Sequence, residues 1–300
     1  MSNFEINNFP NIYFNEVYSL SKFLNNNFIQ KLICSFHDYD NLYLVTKFYD
    51  GGIGGNLGHI WNETQIQFLS ACLIQIFKSL RKEKLIHRDI HYWNLMLDEK
   101  RYIILIDFHM AIQYDNKNDS KENSIVSPSF CAPEIINGLS YDYNSDYYRL
   151  GVMIYRNLLG QYPNVIRDKN NLTDVSINYD ISKNFSYPCI DFINKLMISD
   201  KKNRIGFSNI DELKNHDFFK NFNWNELNSW KMKSPFKRKK RKKRNLCKIF
   251  KNITKRIFLN NKFYKNKTFR NIFLTYNKIN KNMIDKIYVS LKYKKLNREK

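Results

Sequence analysis

The stretch Ile86-His87-Arg88-Asp89-Ile90-His91-Tyr92-Trp93-Asn94 decides the fold of this 300-residue chain. It places the carboxylate of Asp89 five residues before the amide of Asn94, in a segment that runs into an apolar strand. Thirteen residues after Asn94, a second carboxylate appears in Asp107-Phe108-His109, directly after the apolar run IILI. The sequence therefore predicts two carboxylates and an amide on loops that rigid strands hold in place.

Three further signals follow in order along the chain. Ala132-Pro133-Glu134 comes first, then Asp146 at the start of the apolar run DYYRLGVMIYRNLLGQYP, and finally Arg204. An HRD or a DF sequence alone is more often incidental beside a core strand. Five ordered signals at these spacings indicate a single fold whose loops carry the chemistry.

The spacing of apolar residues predicts the elements around these motifs. Thr64 is a plausible cap for the first helix, and Gly160 is a stop signal for the second. In chain order the predicted elements are strand 41–48, helix 64–83, strands 95–97 and 103–106, helix 147–159, and short helices 191–197 and 210–216.

These motifs resemble those of the protein-kinase superfamily. The ending, Arg204-Ile205-Gly206 through HDFFKNFNWNEL, and the upstream stretch NNNFIQKLICSFHDYDNLYLVTKFYDGG resemble the AGC group of serine/threonine kinases. Lys233-Ser234-Pro235-Phe236 also resembles the start of an AGC C-terminal tail. Within the group the YANK subfamily is the nearest fit. The resemblance implies a two-lobed α+β fold with an incomplete N-lobe and a mainly helical C-lobe.

The resemblance also implies an ATP- and Mg²⁺-dependent serine/threonine kinase that acts on protein substrates. Asp89 is then the catalytic base, and Asn94 and Asp107 are the magnesium ligands. His91 stands where these kinases carry a lysine that contacts the γ-phosphate. It can donate a hydrogen bond there, although histidine is mostly neutral near pH 7 unless the phosphate raises its pKa.

The remaining implied residues hold the nucleotide or brace the fold. Thr46 falls at the gatekeeper position, before a hinge that binds adenine through its backbone. Ser127 keeps a hydroxyl at the substrate-positioning site. The implied hinge and bracing residues are Lys47, Phe48 and Tyr49 at the hinge, Glu134 and Arg204 as a buried ion pair, Asp146 as an acceptor for the catalytic-loop backbone, and His87 and Arg88 within that loop.

The chain also departs from the family pattern. Glu16 lies where the family has the glutamate that pairs with the phosphate-binding lysine, but residues 1–15 contain neither lysine nor glycine. We therefore expect an N-terminally truncated kinase that binds ATP weakly or not at all, or a pseudokinase that acts as a scaffold. Glu16 is equally well interpreted as an ordinary solvated helix residue. His109 replaces a glycine, and so restricts the backbone there.

The charge distribution divides the chain. Residues 231–300 contain 26 Lys and Arg against only Asp285 and Glu299, although the whole chain has a net charge of +21. We therefore predict a partial N-lobe at 1–50, a C-lobe at 51–230 and a basic tail at 231–300. The tail run KRKKRKKR at 237–244 and the amphipathic pattern at 245–258 could bind anionic lipid, nucleic acid or an import receptor, or form a solvated extension.

Scattered cysteines and the lack of a long apolar run exclude other classes. The five cysteines form no CxxC pair, which argues against a disulfide scaffold or a zinc site. No apolar run approaches the roughly 18 residues that a membrane span needs. We expect a cytoplasmic or nuclear protein without a transmembrane segment, for which peripheral membrane association through the tail is possible.

Overall fold

The structure is a computed structural model of the chain. It describes residues 11–37, 41–49, 51–52, 61–114, 131–163, 185–237 and 287–294. Ser127, residues 238–244 of the basic run and the amphipathic pattern at 245–258 lie outside these ranges. The described elements form a small strand-containing part near the N-terminus and a larger, mainly helical part, so the predicted α+β fold class is confirmed.

The small part contains one helix and a three-stranded antiparallel sheet. Helix α1 spans Asn11–Ser21, and strands β1 and β2 span Leu32–His37 and Asn41–Lys47. The third strand is Ile287–Lys294, which comes from the far end of the chain and is β8 in chain order. The order β1-β2-β8 makes β2 the central strand. The sequence predicted β2 but gave no indication of a strand within the basic tail.

The large part is built around two long helices. Helix α2 spans Glu63–Lys82 and helix α4 spans Tyr143–Leu159. The other elements, in chain order, are β3 (Gly51–Gly52), β4 (Leu85–Ile86), β5 (Leu95–Leu97), β6 (Ile103–Leu105), β7 (Ile112–Gln113), α3 (Pro133–Ile136), α5 (Tyr187–Leu196), α6 (Asp211–Asn215) and α7 (Trp224–Asn228). Strands β3, β5 and β6 form one sheet, and β4 pairs with β7.

Both long helices begin earlier than the apolar spacing predicted. The cap of α2 is Asn62 and not Thr64: its side-chain oxygen accepts from the Gln65 N–H at 3.0 Å, and the Gln65 side chain accepts from the Asn62 N–H at 3.2 Å. Helix α4 begins one turn before residue 147, because Asp142 caps it. The first residue of each helix is set by its polar capping residue, and the spacing of apolar residues does not predict where such a cap lies.

The ends of the helices and the core follow the sequence more closely. Helix α4 ends at Gly160, whose φ of 74° is a left-handed conformation that glycine adopts without strain. The faces of α2 and α4 meet in the core, where the rings of Phe77 and Tyr147 lie 5.0 Å apart. These two helices form the centre of the large part, around which the short strands and their loops are arranged.

The two parts of the molecule are joined by backbone hydrogen bonds beside strand β6. The Gln30 N–H donates to the Leu105 carbonyl at 2.9 Å, and the Leu105 N–H donates to the Phe28 carbonyl at 2.9 Å. Ile29 forms a parallel bridge with Leu105 between them. The segment before β1 therefore lies against the strand that leads into Asp107.

The packing of the large part continues past residue 230. The Trp230 ring stacks on Tyr102 at 4.1 Å, and the Tyr102 hydroxyl donates to the Met232 carbonyl at 2.8 Å. Phe236 is 6% exposed and its ring lies 5.0 Å from that of Trp61. The division of the chain at residues 50 and 230 stays a prediction. The structure shows in addition that residues 230–236 pack on the large part and that β8 pairs with β2.

Among the described residues no helix is both long and apolar enough to cross a membrane.

Candidate active site

The loop between β4 and β5 holds the carboxylate of Asp89 in a fixed orientation. A short 3-10 turn, Tyr92–Asn94, returns the chain toward Asp89. There the Asn94 amide nitrogen donates to both the backbone carbonyl and the side-chain Oδ2 of Asp89, each at 2.9 Å. The Asp89 side chain is 24% exposed, so solvent and ligands can reach it. Sequence spacing placed Asp89 and Asn94 five residues apart, and the structure brings their side chains into contact.

His91 lies against this carboxylate. Its Nε2 is 3.3 Å from Asp89 Oδ2 and 3.3 Å from the Asn94 amide nitrogen. Burial raises the pKa of Asp89, but the hydrogen bond and charge of His91, with smaller contributions from His87 and Arg149, outweigh it and lower the pKa overall. The Asp89 carboxylate is therefore held ionised, a state in which it can accept a proton.

His87 connects this loop to the strand before Asp107. Its Nδ1 accepts from the Asp89 N–H at 3.3 Å, and its Nε2 lies 3.3 Å from the Ile106 carbonyl. The ring stands edge-on to Phe108, with centroids 4.7 Å apart. Burial lowers the pKa of His87 to about 4, so the ring is neutral near pH 7 and can accept at Nδ1 while it donates at Nε2.

Asp107 emerges from β6 with a strained backbone. Its φ is 68°, and Arg88 in the facing loop has a φ of 66°, both in a region that residues other than glycine seldom occupy. The Asp107 N–H donates to the Gln30 side chain at 3.3 Å, and His109 Nδ1 lies 2.6 Å from Asp107 Oδ1. Strain of this kind concentrates where function dictates the backbone, which supports a functional role for both loops.

The donor set at Asn94 and Asp107 fits magnesium. The Asn94 amide nitrogen is engaged by Asp89, so the amide oxygen is the atom of this side chain that can face a cation. Carboxylate and amide oxygens are hard ligands of the kind that Mg²⁺ prefers. The part of the chain that the structure describes contains no cluster of three or more His, Cys, Asp or Glu side chains suited to a metal. A Mg²⁺ ion here would therefore need phosphate or water oxygens to complete its coordination.

The end of β2 lies beside the Asp107 loop. Thr46 is 1% exposed, and its hydroxyl accepts from the Gln30 side chain at 2.9 Å. The Lys47 N–H donates to the Lys31 carbonyl at 2.9 Å, and the Tyr49 hydroxyl accepts from the Lys31 N–H at 3.3 Å. Phe48 continues the chain between them. The four residues assigned to the gatekeeper and hinge thus form the exit from β2.

Gln30 was missed by the sequence analysis although it connects two parts of the site. Its amide nitrogen reaches Thr46, and its amide oxygen accepts from the Asp107 N–H. The signal in the sequence was that Gln30 is a polar residue directly after the apolar residues Phe28 and Ile29. The tertiary contact alone shows that this side chain couples the hinge strand to the candidate metal ligand.

Glu134 and Arg204 form a buried ion pair behind the loops. Two parallel hydrogen bonds join them: Arg204 Nη1 to Glu134 Oε1 at 2.7 Å and Nη2 to Oε2 at 2.9 Å. The Ser145 hydroxyl also donates to Glu134 Oε1, at 3.0 Å. Arg204 and Glu134 are 1% and 5% exposed. This bidentate geometry satisfies both charges and fixes the start of α4 against α3.

Asp146 and Arg149 extend this support from helix α4 to the catalytic loop. Asp146 Oδ2 accepts from the His87 N–H at 3.1 Å, and burial raises the pKa of Asp146 to about 6. Arg149 is 1% exposed and its Nη1 lies 3.9 Å from Asp89 Oδ1. Arg149 was also missed, although a charged residue within an apolar helix was visible in the sequence. It places a buried positive charge behind the candidate base.

Glu16 is buried, at 1% exposure, in helix α1. The interpretation of Glu16 as an ordinary solvated helix residue is therefore wrong. Ser127, which the sequence assigned to substrate positioning, lies outside the described residues, so its role stays a prediction.

Comparison with known proteins agrees with this geometry. Residues 3–219 match the family model for the protein kinase domain. The chain is 29% identical over 217 residues to the serine/threonine-protein kinase sgk-1 of Caenorhabditis elegans, covering 70% of this chain and 46% of that protein. It is 32% identical over 225 residues to the rat protein kinase C delta type, covering 71% and 32%. For the zebrafish serine/threonine-protein kinase Sgk1 the identity is 28% over 215 residues, covering 70% and 50%.

The chain thus spans half or less of the length of these three relatives. The relatives are kinases of the AGC group, so the resemblance to that group is confirmed. The finer assignment to the YANK subfamily stays a prediction.

Proposed function

This chain belongs to the protein kinase family, and from that premise we propose that it transfers the γ-phosphate of ATP to serine or threonine residues of protein substrates. The match covers both loops that carry the candidate catalytic residues, Asp89 and Asp107. Its relatives named above are serine/threonine-protein kinases or protein kinase C.

One observation carries the proposal: the loops of Asp89 and Asp107 are held together by a neutral, buried histidine. His87 accepts from the Asp89 N–H and contacts the Ile106 carbonyl, one residue before Asp107. The base and the candidate metal ligand are therefore positioned by the same side chain. Phosphoryl transfer depends mainly on such positioning and on electrostatic stabilisation.

Each residue then has a defined task. Bound ATP supplies the transferable phosphoryl group, and Mg²⁺ supplies the positive charge that neutralises its oxygens. Asp89 accepts the proton of the substrate hydroxyl, while Asn94 orients the Asp89 carboxylate through its amide nitrogen. Asp107 and the Asn94 amide oxygen would hold the cation. The backbone that leaves Thr46 binds the adenine.

His91 supports the base rather than replacing it. Its Nε2 lies 3.3 Å from Asp89 Oδ2, so the ring contributes a hydrogen bond that helps to hold the carboxylate in place for the substrate hydroxyl.

Substitution of the two carboxylates tests the proposal. Asp89→Asn should lower phosphoryl transfer by at least about a hundredfold and leave the affinity for ATP with Mg²⁺ within about twofold, because a general base acts on the substrate hydroxyl and not on the nucleotide. Asp107→Asn should lose both transfer and magnesium-dependent binding. Transfer to a protein substrate is followed with γ-labelled ATP, and nucleotide binding by titration calorimetry.

A matched control is Asp211→Asn, which removes a carboxylate that pairs with Lys78 on the surface. It should change neither quantity. Equal transfer by the wild-type chain and Asp89→Asn would refute the assignment of the base. If the wild type binds nucleotide but transfers no phosphate to any protein substrate, the chain is instead a scaffold of the pseudokinase type.

The partners of the basic tail stay predictions. Of the run 237–244, only Lys237 lies among the described residues. The proposed alternative partners of the tail are anionic lipid, nucleic acid and an import receptor. The localisation, which is cytoplasmic, nuclear or at a membrane surface, would depend on which of them the tail binds.

A further inference from the structure

Helix α4 presents two buried charged side chains to the loop that carries Asp89. Asp146 and Arg149 are three residues apart, a spacing that places both on one face of the helix, and they are only 2% and 1% exposed. Asp146 accepts from the backbone N–H of His87 at 3.1 Å. Arg149 Nη1 lies 3.9 Å from Asp89 Oδ1. The helix thus directs a carboxylate to a donor of the loop and a cation to its carboxylate.

The two oxygens of the Asp89 carboxylate have different neighbours. Oδ2 accepts from the Asn94 amide nitrogen at 2.9 Å and lies 3.3 Å from Nε2 of His91, and both of these residues belong to the same loop. Oδ1 faces Nη1 of Arg149, which belongs to a different element. One oxygen is therefore held by the loop and the other by the helix behind it, so rotation of the carboxylate is opposed from two directions.

The contact between Arg149 and Asp89 acts through charge. A separation of 3.9 Å is too long for a direct hydrogen bond. Because the guanidinium is buried, the effective dielectric around it is lower than that of water, and attraction at this distance is correspondingly stronger. Arg149 Nη2 also lies 3.5 Å from the Tyr141 hydroxyl, a group that stays neutral because burial raises its pKa. Tyr141 therefore supplies no countercharge to the guanidinium.

A buried cation of this kind is weak evidence for stability. Burial of a charge is costly, and an apolar side chain of similar volume often serves a core as well or better. Two carboxylates offset the charge of Arg149 here. One is Asp89, and the other is Asp146, whose pKa is raised by burial and partly restored by the charge of Arg149. The position of Arg149 behind Asp89 points to a role beyond the packing of α4.

We propose that Arg149 is a positioning residue for phosphoryl transfer: its buried charge holds the Asp89 carboxylate in the orientation in which it meets the substrate hydroxyl. This inference rests on the proposed function for the reaction itself. In that reaction the hydroxyl proton moves to the Asp89 carboxylate, the hydroxyl oxygen bonds to the γ-phosphorus, and the bond from that phosphorus to the departing ADP oxygen breaks. Arg149 takes part in none of these bond changes and acts through Asp89.

The first test separates kcat from KM in the full-length chain. Arg149→Met removes the charge and keeps most of the length of the side chain. It should lower kcat for transfer to a protein substrate by about tenfold or more and leave KM for ATP within about twofold, since a misplaced base slows the chemical step and other groups hold the nucleotide. Arg149→Lys keeps a cation and should recover most of the lost kcat.

Steady-state kinetics with γ-labelled ATP measure both constants, and near-UV circular dichroism checks that each variant is folded. If Arg149→Met does not fold, Arg149→Gln takes its place as the neutral variant. Equal losses of kcat in the neutral variant and in Arg149→Lys would overturn the role of the charge. A change in KM for ATP without a change in kcat would also overturn the proposal.

A matched control neutralises another arginine of the same helix. Arg156 lies two turns further along α4, with its guanidinium 4.4 Å from the centre of the Tyr162 ring. Arg156→Met should change kcat by less than about twofold, because this side chain does not contact Asp89. A loss as large as that of Arg149→Met would mean that transfer responds to the total charge of α4, and would contradict a specific action on Asp89.

A double-mutant cycle tests whether Arg149 acts through Asp89. Arg149→Met should shift the midpoint of urea unfolding less unfavourably in the Asp89→Asn background than in the wild-type background, because the attraction to the Asp89 carboxylate is already lost. The same comparison in the Asp146→Asn background measures the coupling to Asp146. If only the Asp146 background changed the shift, Arg149 would be a structural counter-ion of Asp146, and the inference would fall.

Failure of this inference can be distinguished from failure of the proposed function. If Arg149→Met transfers phosphate as the wild type does while Asp89→Asn does not, the kinase assignment stands and the role of Arg149 falls. If the wild-type chain transfers phosphate to no protein, the proposed function falls and takes the role of Arg149 in transfer with it. The urea midpoints would still show in that case whether the charges of Arg149 and Asp89 are coupled.

Discussion

Charged side chains on the two sides of helix α4 differ in burial and in pairing. Behind the site, Glu134 and Arg204 are buried, paired at 2.7 and 2.9 Å, and supported by Ser145. At the front, Asp89 and Asp107 are about a quarter exposed, and the backbone of Asp107 is strained. The difference shows that the Glu134–Arg204 pair is fully satisfied where it braces the fold, whereas the carboxylates of the candidate site stay accessible.

The largest effect should come from breaking the rear ion pair. Arg204→Ala leaves the carboxylate of Glu134 buried without its partner, at a cost of about 3–5 kcal/mol in the free energy of unfolding. At about 2–4 °C per kcal/mol for a domain of this size, such a change should lower the melting temperature by roughly 6–20 °C. Thermal unfolding followed by circular dichroism measures it.

A matched control is Lys195→Ala, which removes an exposed pair with Asp191 at 2.8 Å on the surface of α5. Surface pairs of this kind contribute about 0–1 kcal/mol, so the melting temperature should barely move. If the two substitutions had similar effects, the contrast between a fully satisfied rear and an accessible front would be lost.

An intermediate effect should appear in the dependence of stability on pH. Burial raises the pKa of Asp146 to about 6, so the folded protein takes up this proton first and the group adds stability as pH falls from about 6 toward 4. Burial lowers the pKa of His87 to about 4, so the unfolded chain takes up that proton first and stability is lost as pH falls from about 6.5 toward 4. In the wild type the two contributions nearly cancel.

Asp146→Asn removes the first contribution and leaves the second. Between pH 6.5 and pH 4, the variant should lose on the order of 2 kcal/mol more unfolding free energy than the wild type loses. Urea unfolding at a series of pH values measures the difference, with Asp200→Asn as a control that should follow the wild type. If the unfolding free energies of Asp146→Asn and the wild type changed in parallel with pH, the contributions of Asp146 and His87 would not offset each other.

The smallest effect on stability should come from the front. His109→Gly removes an imidazole that lies 2.6 Å from Asp107 Oδ1 in a partly exposed site, so the melting temperature should fall by no more than about 4 °C. The affinity for Mg²⁺ in the presence of ATP should instead rise a few fold, since Asp107 loses a competing partner. A loss of stability comparable to that of Arg204→Ala would mean that the front is as tightly braced as the rear.

Local sequence was sufficient for the features that depend on short spacing. Asp89 and Asn94 are five residues apart, and a single turn closes between them, so their contact follows from the chain itself. Glycine at 160 ends α4, because a left-handed residue is needed at that point. The starts of α2 and α4 were misplaced, because Asn62 and Asp142 act through hydrogen bonds that apolar periodicity does not reveal.

The sequence by itself indicated the family, the order of the motifs and the candidate carboxylates Asp89 and Asp107, because each motif consists of residues that lie near one another in the chain. Only the tertiary structure decided that Gln30 joins Thr46 to Asp107, that Arg149 lies behind Asp89, and that β8 pairs with β2. Those contacts join segments far apart in the chain, and their partners are selected by packing and by the pairing of a sheet edge, neither of which leaves a local pattern.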